Sequence, residues 1–242
     1  MNCTILDSTI IKDRRKERTI VVDKIYKILP KYALLPIIAS IILNVLVYFG
    51  SRIITTGLYH YDLSIFIDKQ LPFVPPMMII YVLAYVHWIV GFIVIGRESR
   101  EICYELMSAE QIAKIICLLC FLAIPATITR PEITGDGFCN WLSKLIYMAD
   151  NPDNLFPSIH CLESWLVFRG AMKCKREGNT YKIVMLISAI MVFASTLLVK
   201  QHVFVDVIGG IAVVEIGLFL SRKFNVSRIY YKLETKMVKY EG

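Results

Sequence analysis

Long uncharged stretches divide this chain and leave few folds open to it. No charged residue occurs between Lys31 and Arg52, a run of 20, and residues 77–96, after Pro75-Pro76, give 20 more. Shorter apolar windows follow over 115–129, 155–168, 183–199 and 207–221; the second of these four carries His160 and Glu163, and the last carries Glu215. A helix needs about 20 apolar residues to cross a bilayer. Six such blocks in 242 residues therefore predict an all-α, polytopic membrane bundle of six transmembrane helices rather than a soluble domain. Composition agrees, with 56% hydrophobic and 19% charged residues, against roughly 25% charged in soluble domains.

The basic residues set the orientation. Assigned to alternate sides, 22 of the 27 Lys and Arg fall on the segments that include both termini, among them Lys114, and five fall opposite: Arg52, Lys69, Arg130, Lys144 and Lys200. The positive-inside rule then places both termini in the cytoplasm. The net charge of +7 reads as topology, and no nucleic-acid partner is expected. The predicted organisation is a cytoplasmic segment over 1–31, a membrane domain over 32–221 and a cytoplasmic tail over 222–242. The first 31 residues lack a short apolar core with a cleavage site, so the first span is expected to stay as an anchor. Phe138, Trp141, Leu142, Leu145 and Met148 recur at helical spacing within 137–149. They predict an amphipathic interfacial helix on the outer surface between spans three and four, which either admits lipid or anchors its loop.

Ionisable residues in or beside a span are expensive in lipid and are functional candidates by default. His160 opens the fourth window in Pro157-Ser158-Ile159-His160, and His202 precedes the sixth with Asp206 four positions on. That spacing puts imidazole and carboxylate on one helix face, fixing the tautomer and leaving one nitrogen free to act as nucleophile or base. Arg130-Pro131 follows the third window, where a guanidinium can hold phosphate oxygens in a fork. An anion clamp, an oriented imidazole and a second imidazole suit phosphoryl transfer without a metal. No Cys/His pair has zinc spacing, so neither metal nor cofactor is expected. Windows three and six are about 15 residues, or roughly 22 Å, short of the ~30 Å hydrocarbon core, so their flanking charges are expected near the headgroups, at the depth of a lipid phosphate.

Several other residues draw milder readings. Cys117 and Cys120 lie mid-window and are expected to pack, whereas pairing of Cys139 with Cys161 stays open. Asp62 and Asp68 could cap a short interfacial helix. Glu163 either tunes His160 or pairs inside the bundle, Glu215 reads as a structural hydrogen-bonding group, and His87 and Asn44 read as inter-helix polar contacts.

In order along the chain, Arg130-Pro131, Pro157-Ser158-x-His160 and Ser195-x6-His202-x3-Asp206 resemble the three motifs of the type 2 phosphatidic acid phosphatase superfamily of membrane lipid phosphatases and phosphotransferases. The resemblance covers about residues 115–221. It implies a lipid phosphatase, acting on a phosphate ester or diphosphate at the outer face of a cell membrane, by the family's frequency the bacterial cytoplasmic membrane. It also implies that His202 attacks phosphorus to form a phosphohistidine, that Asp206 orients it and that His160 protonates the leaving oxygen. Arg130, Ser158 and Ser195 would bind phosphate oxygens. Two motif cations are missing: Ala123 stands where the first motif starts with Lys, and Thr196 where the third has Arg after its Ser. Lys200, one turn beyond Thr196, is the candidate replacement. These losses resemble a divergent branch with inositol phosphoceramide synthase-like proteins. Lipid phosphotransfer to an alcohol, or a non-catalytic descendant, remain as alternatives.

Overall fold

The computed structural model describes residues 26–241, with side chains to 236, so nearly all of the predicted N-terminal segment lies outside the described residues. The chain is a helical bundle: α1 Lys31–Thr55, α2 Phe66–Gln70, α3 Met77–Glu98, α4 Arg100–Ala123, α5 Phe138–Ala149, α6 Ile159–Lys173, α7 Asn179–Leu198, α8 Phe204–Lys223 and α9 Arg228–Glu241. A two-residue parallel bridge joins β1 Tyr61–Asp62 to β2 Ala126–Thr127. Local chemistry sets the boundaries. Pro75-Pro76 precede α3, where a missing N–H costs nothing. The Ser99 hydroxyl caps α4 by accepting from Ile102 N at 3.2 Å, and α4 ends two residues before Pro125, which disfavours helix in the residue ahead of it.

Five helices, α1, α3, α4, α7 and α8, are long and apolar enough to cross a membrane. The fourth window becomes α6, only 15 residues long, and its polarity has a structural reason. It packs against α3, α4, α7 and α8, so its side chains meet protein where the other long helices leave apolar side chains exposed. Glu163 and Ser164 are among its buried residues. Gly170 lets α3 come close, since a Cβ there would lie 2.3 Å from Ile95 Cδ1. Small residues at such crossings replace the hydrophobic drive that lipid does not supply.

Two sequence-based expectations are corrected. Residues 115–123 of window three and all of window six lie in longer helices, α4 of 24 residues and α8 of 20; α4 is extended at its start, where Lys114 finds partners, and ends before Arg130, so the 15-residue span lengths do not hold. Lys114 is not a loop cation. It is buried in α4, 2.8 Å from Glu163 and paired with Glu110, and its ammonium also donates to Ser40 of α1 at 3.3 Å. The predicted tail carries a docked helix: Tyr230 of α9 is buried and donates to Gln111 at 2.6 Å, and Tyr104 donates to Glu234 at 3.0 Å. Glu215 accepts from Trp165 at 2.7 Å and pairs with Arg169. The helix expected over 137–149 forms as α5, with Phe138, Trp141, Leu145 and Met148 exposed; Leu142 instead packs against the Met78–Tyr81–Val199 cluster. Cys139 and Cys161 are both free thiols.

Candidate functional site

The starts of α3, α6 and α8 and the ends of α1, α4 and α7 meet at one end of the bundle. The Ser158 hydroxyl caps α6, accepting from Cys161 N at 3.3 Å, and this cap delivers His160 to the second helical position. At the end of α7, Thr196 O accepts from the backbone of both Gln201 and His202, at 3.0 and 3.1 Å, across a turn in which Lys200 is left-handed with φ 53°. His202 is thereby presented to α8. There Asp206 Oδ2 accepts from Val203 N at 2.9 Å and lies 3.2 Å from His202 Nδ1. Asp206 is fully buried.

What brings α6 and α8 together is the pair Gly209-Gly210. A Cβ at Gly210 would sit 2.7 Å from Ser158 O and 2.9 Å from Cys161 Cβ, so side chains there would force the two histidine-bearing turns apart. As built, the His160 and His202 rings lie 6.0 Å apart between centroids. Tyr81 stacks on His160 at 4.3 Å, and Trp88 and Tyr85 close around it at 5.1 and 5.9 Å. His160 Nε2 is shielded and has no partner. Both imidazoles line a cavity of about 330 Å³ that reaches between α1 and α3 to the exposed apolar residues Val45, Phe49 and Tyr85.

Arg130 lies beyond the end of α4. It donates to Asp150 O at 2.5 Å and to Gln201 Oε1, and it stacks over Tyr147 at 4.5 Å. Burial draws its pKa below the usual guanidinium value, without discharging a group of that basicity. Gln201, almost wholly buried and adjacent to His202, thus ties the arginine to the turn between α7 and α8. Asp150 accepts from Tyr48 and, at 3.4 Å, from Tyr81; Asp153 pairs with Arg52 at 3.2 Å. Burial pushes the Asp153 carboxyl up from its usual value, more than Arg52 offsets.

The structure thus brings together His160, His202, Asp206 and, through Gln201, Arg130. Ser158 is engaged as a helix cap, and the Ser195 hydroxyl donates to Val192 O at 2.7 Å. Lys200 donates through its ammonium to Asp68 O at 2.9 Å and Leu71 O at 2.7 Å and lines a second cavity that it shares with Lys69 and Arg130. Asp68 also caps α8 from α2, accepting from Phe204 N at 2.8 Å. Sequence reasoning missed Gln201, Asp150, Asp153, Asn154 and the aromatic box around His160. Only Gln201, beside His202, had a local signal. Among the described residues no cluster of His, Cys, Asp and Glu could hold a metal ion.

Compared with known proteins, residues 55–220 match a family model described as the PAP2 superfamily. No curated protein and no solved structure matches.

Proposed function

Because the chain belongs to the PAP2 superfamily, we propose that it is an integral membrane phosphoric ester hydrolase acting on a lipid phosphate through a phosphohistidine. The observation that carries this reading is His202, held by Asp206 at 3.2 Å and facing His160 across 6.0 Å on the wall of a cavity open toward the apolar flank. The Nδ1 contact commits one nitrogen of His202 to the carboxylate and leaves Nε2 to attack phosphorus. As the Nε2–P bond forms, one P–O ester bond breaks and His160 gives its proton to the departing oxygen. Water then attacks the phosphohistidine with His160 as base, restoring both imidazoles. Arg130, held by Asp150 O and Gln201 Oε1, can reach a phosphoryl oxygen only by giving up one of these partners, and in that exchange its guanidinium supplies the charge. The same phosphoenzyme can be discharged by a lipid alcohol in place of water, which is the phosphotransferase reading.

In this reading α6 is a sixth span carried inside the bundle and both termini are cytoplasmic. Taking Lys114 out of the count leaves the Lys and Arg asymmetry at 21 to five, still that of six spans. The site then faces the outer leaflet, and α5 lies in the interface with Phe138, Trp141 and Met148 in the lipid.

The test is phosphate release from a panel of lipid phosphates and diphosphates by purified protein in detergent. Turnover is expected to survive EDTA, to be inhibited by vanadate and to vanish in His202→Ala. His160→Ala should still accumulate phosphoenzyme from a substrate with a good leaving group. Normal turnover by a folded His202→Ala protein would overturn the assignment.

A further inference from the structure

At the ends of α6 and α8 remote from the histidines, Arg169, Glu215, Leu218, Phe219, Arg222 and Lys223 line another cavity, of about 390 Å³. Arg222 follows Asp206 by 16 residues on α8, roughly 24 Å along the helix, so this cavity and the histidine site belong to opposite ends of the bundle. Its flank is apolar and exposed, with Ile208, Phe219 and Phe224 along and just beyond α8 and Met172 on α6. Ile208, Glu215, Phe219 and Lys223 follow one another at intervals of seven, four and four, so they share one face of α8.

Charges on such a face are expensive in lipid and call for a partner or a function. The pair of Arg169 with Glu215, into which Trp165 donates at 2.7 Å, leaves 29% and 42% of the two side chains exposed. Arg222 gives Nε to Glu105, a carboxylate that Lys173 also holds, and its two Nη groups have no hydrogen-bond partner among the described residues. The Lys223 ammonium pairs with no carboxylate among those residues and lies over the Phe219 and Phe224 rings, at 5.5 and 5.6 Å from their centroids. Three cations therefore line a cavity whose single carboxylate is already taken by Arg169.

We infer that this cavity binds the phosphate of an anionic phospholipid from the leaflet opposite the histidines. A guanidinium fork matches phosphate oxygens two at a time, and Arg222 has its fork free. In the six-span arrangement this end is cytoplasmic, the side on which basic pockets between spans hold anionic headgroups. The acyl chains would lie along Phe219 and the exposed face of α8. A zwitterionic lipid brings an ammonium of its own toward three cations and is the poorer ligand. The bound phosphate bridges Arg169 of α6 to Arg222 and Lys223 of α8, tying at their far ends the two helices that carry the histidines. The site is independent of what those histidines catalyse.

The test follows the aggregation temperature of the full-length protein in detergent with phosphatidylglycerol, phosphatidylcholine of the same acyl chains, glycerol phosphate or inorganic phosphate added. A ligand of the folded state raises that temperature. Phosphatidylglycerol should raise it by about 5 °C or more, phosphatidylcholine by clearly less, and the two soluble phosphates not at all at the same concentration. Arg222→Gln combined with Lys223→Gln should remove the shift. Lys223→Gln alone, which breaks no ion pair, should shrink it, and this variant decides if the double one does not fold. His202→Ala should keep the whole shift, which separates this site from a lipid in the histidine cavity. Equal shifts from the two lipids, a shift unmoved by Lys223→Gln, or a shift lost in His202→Ala overturns the site. Inorganic phosphate as effective as phosphatidylglycerol overturns the lipid as its occupant.

Discussion

The bundle buries ionisable side chains in two places, and they are built differently. Where α1, α4 and α6 cross, Glu110, Lys114 and Glu163 pair with one another and with Ser40, drawing on no loop. At the end of the bundle His160, His202 and Asp206 stand with Asn154 and Gln201 on turns and helix starts around a cavity; several of their polar atoms lack partners, as Glu110 Oε2 and Glu163 Oε2 do in the first cluster. The first cluster sits among packed helices and lines none of the cavities described; in the second the two histidines open onto one. Burial and charge are common to both. What separates the two is the cavity beside the histidines: in the proposed reading a removed partner leaves a buried charge in the first case and an absent reaction in the second.

The largest effect that would sharpen this contrast is the pair His202→Ala and Lys114→Ala. The histidine variant should lose turnover by about 10⁴-fold or more with heat resistance in detergent unchanged. The lysine variant should lose about 3–5 kcal/mol of stability by stranding two carboxylates, read as a lower temperature of aggregation, and replacing Glu110, Lys114 and Glu163 together by apolar residues of similar size should recover most of it. A Lys114→Ala protein as stable as the parent would break the comparison. Next comes Asp206→Asn, expected to cut kcat by about 10²–10⁴ through loss of imidazole orientation and to lower KM little.

Smaller effects probe the seam. Gly210→Val must push α6 from α8 and should cost about ten-fold or more in kcat, since misplacements near 1 Å are enough to do so; unaltered kcat would show that the glycines do not set the histidine separation. Lys200→Met should change KM less than two-fold and cost about 1–3 kcal/mol of stability through the carbonyls it leaves behind. A large rise in KM would return Lys200 to the phosphate set.

How much of this was legible in the sequence follows from the range of each interaction. His202 and Asp206 are four apart, and Ser158 caps the helix that carries His160; spacing reports such contacts directly. Lys114 looked like a loop cation because its decisive partner, Glu163, belongs to another helix, and α6 looked weak as a span because hydropathy cannot tell a helix facing lipid from one enclosed by its neighbours. Asn44 reads in the sequence as an inter-helix contact, yet its Oδ1 is buried without a partner. Asn154 gave no signal at all, since its left-handed backbone depends on Tyr48 and Ser51 of α1.

The enclosure of α6 bears on how the chain enters its membrane. In the six-span arrangement, α6 is synthesised after α3 and α4 and before α7 and α8, at a moment when only half of its eventual surroundings exist. Carrying Glu163 and His160 and only 15 residues long, it is a poor substrate for insertion alone. The ammonium of Lys114, already in place on α4, gives the Glu163 carboxylate a partner on arrival, so this ion pair would act as the device that retains the His160-bearing helix during biogenesis.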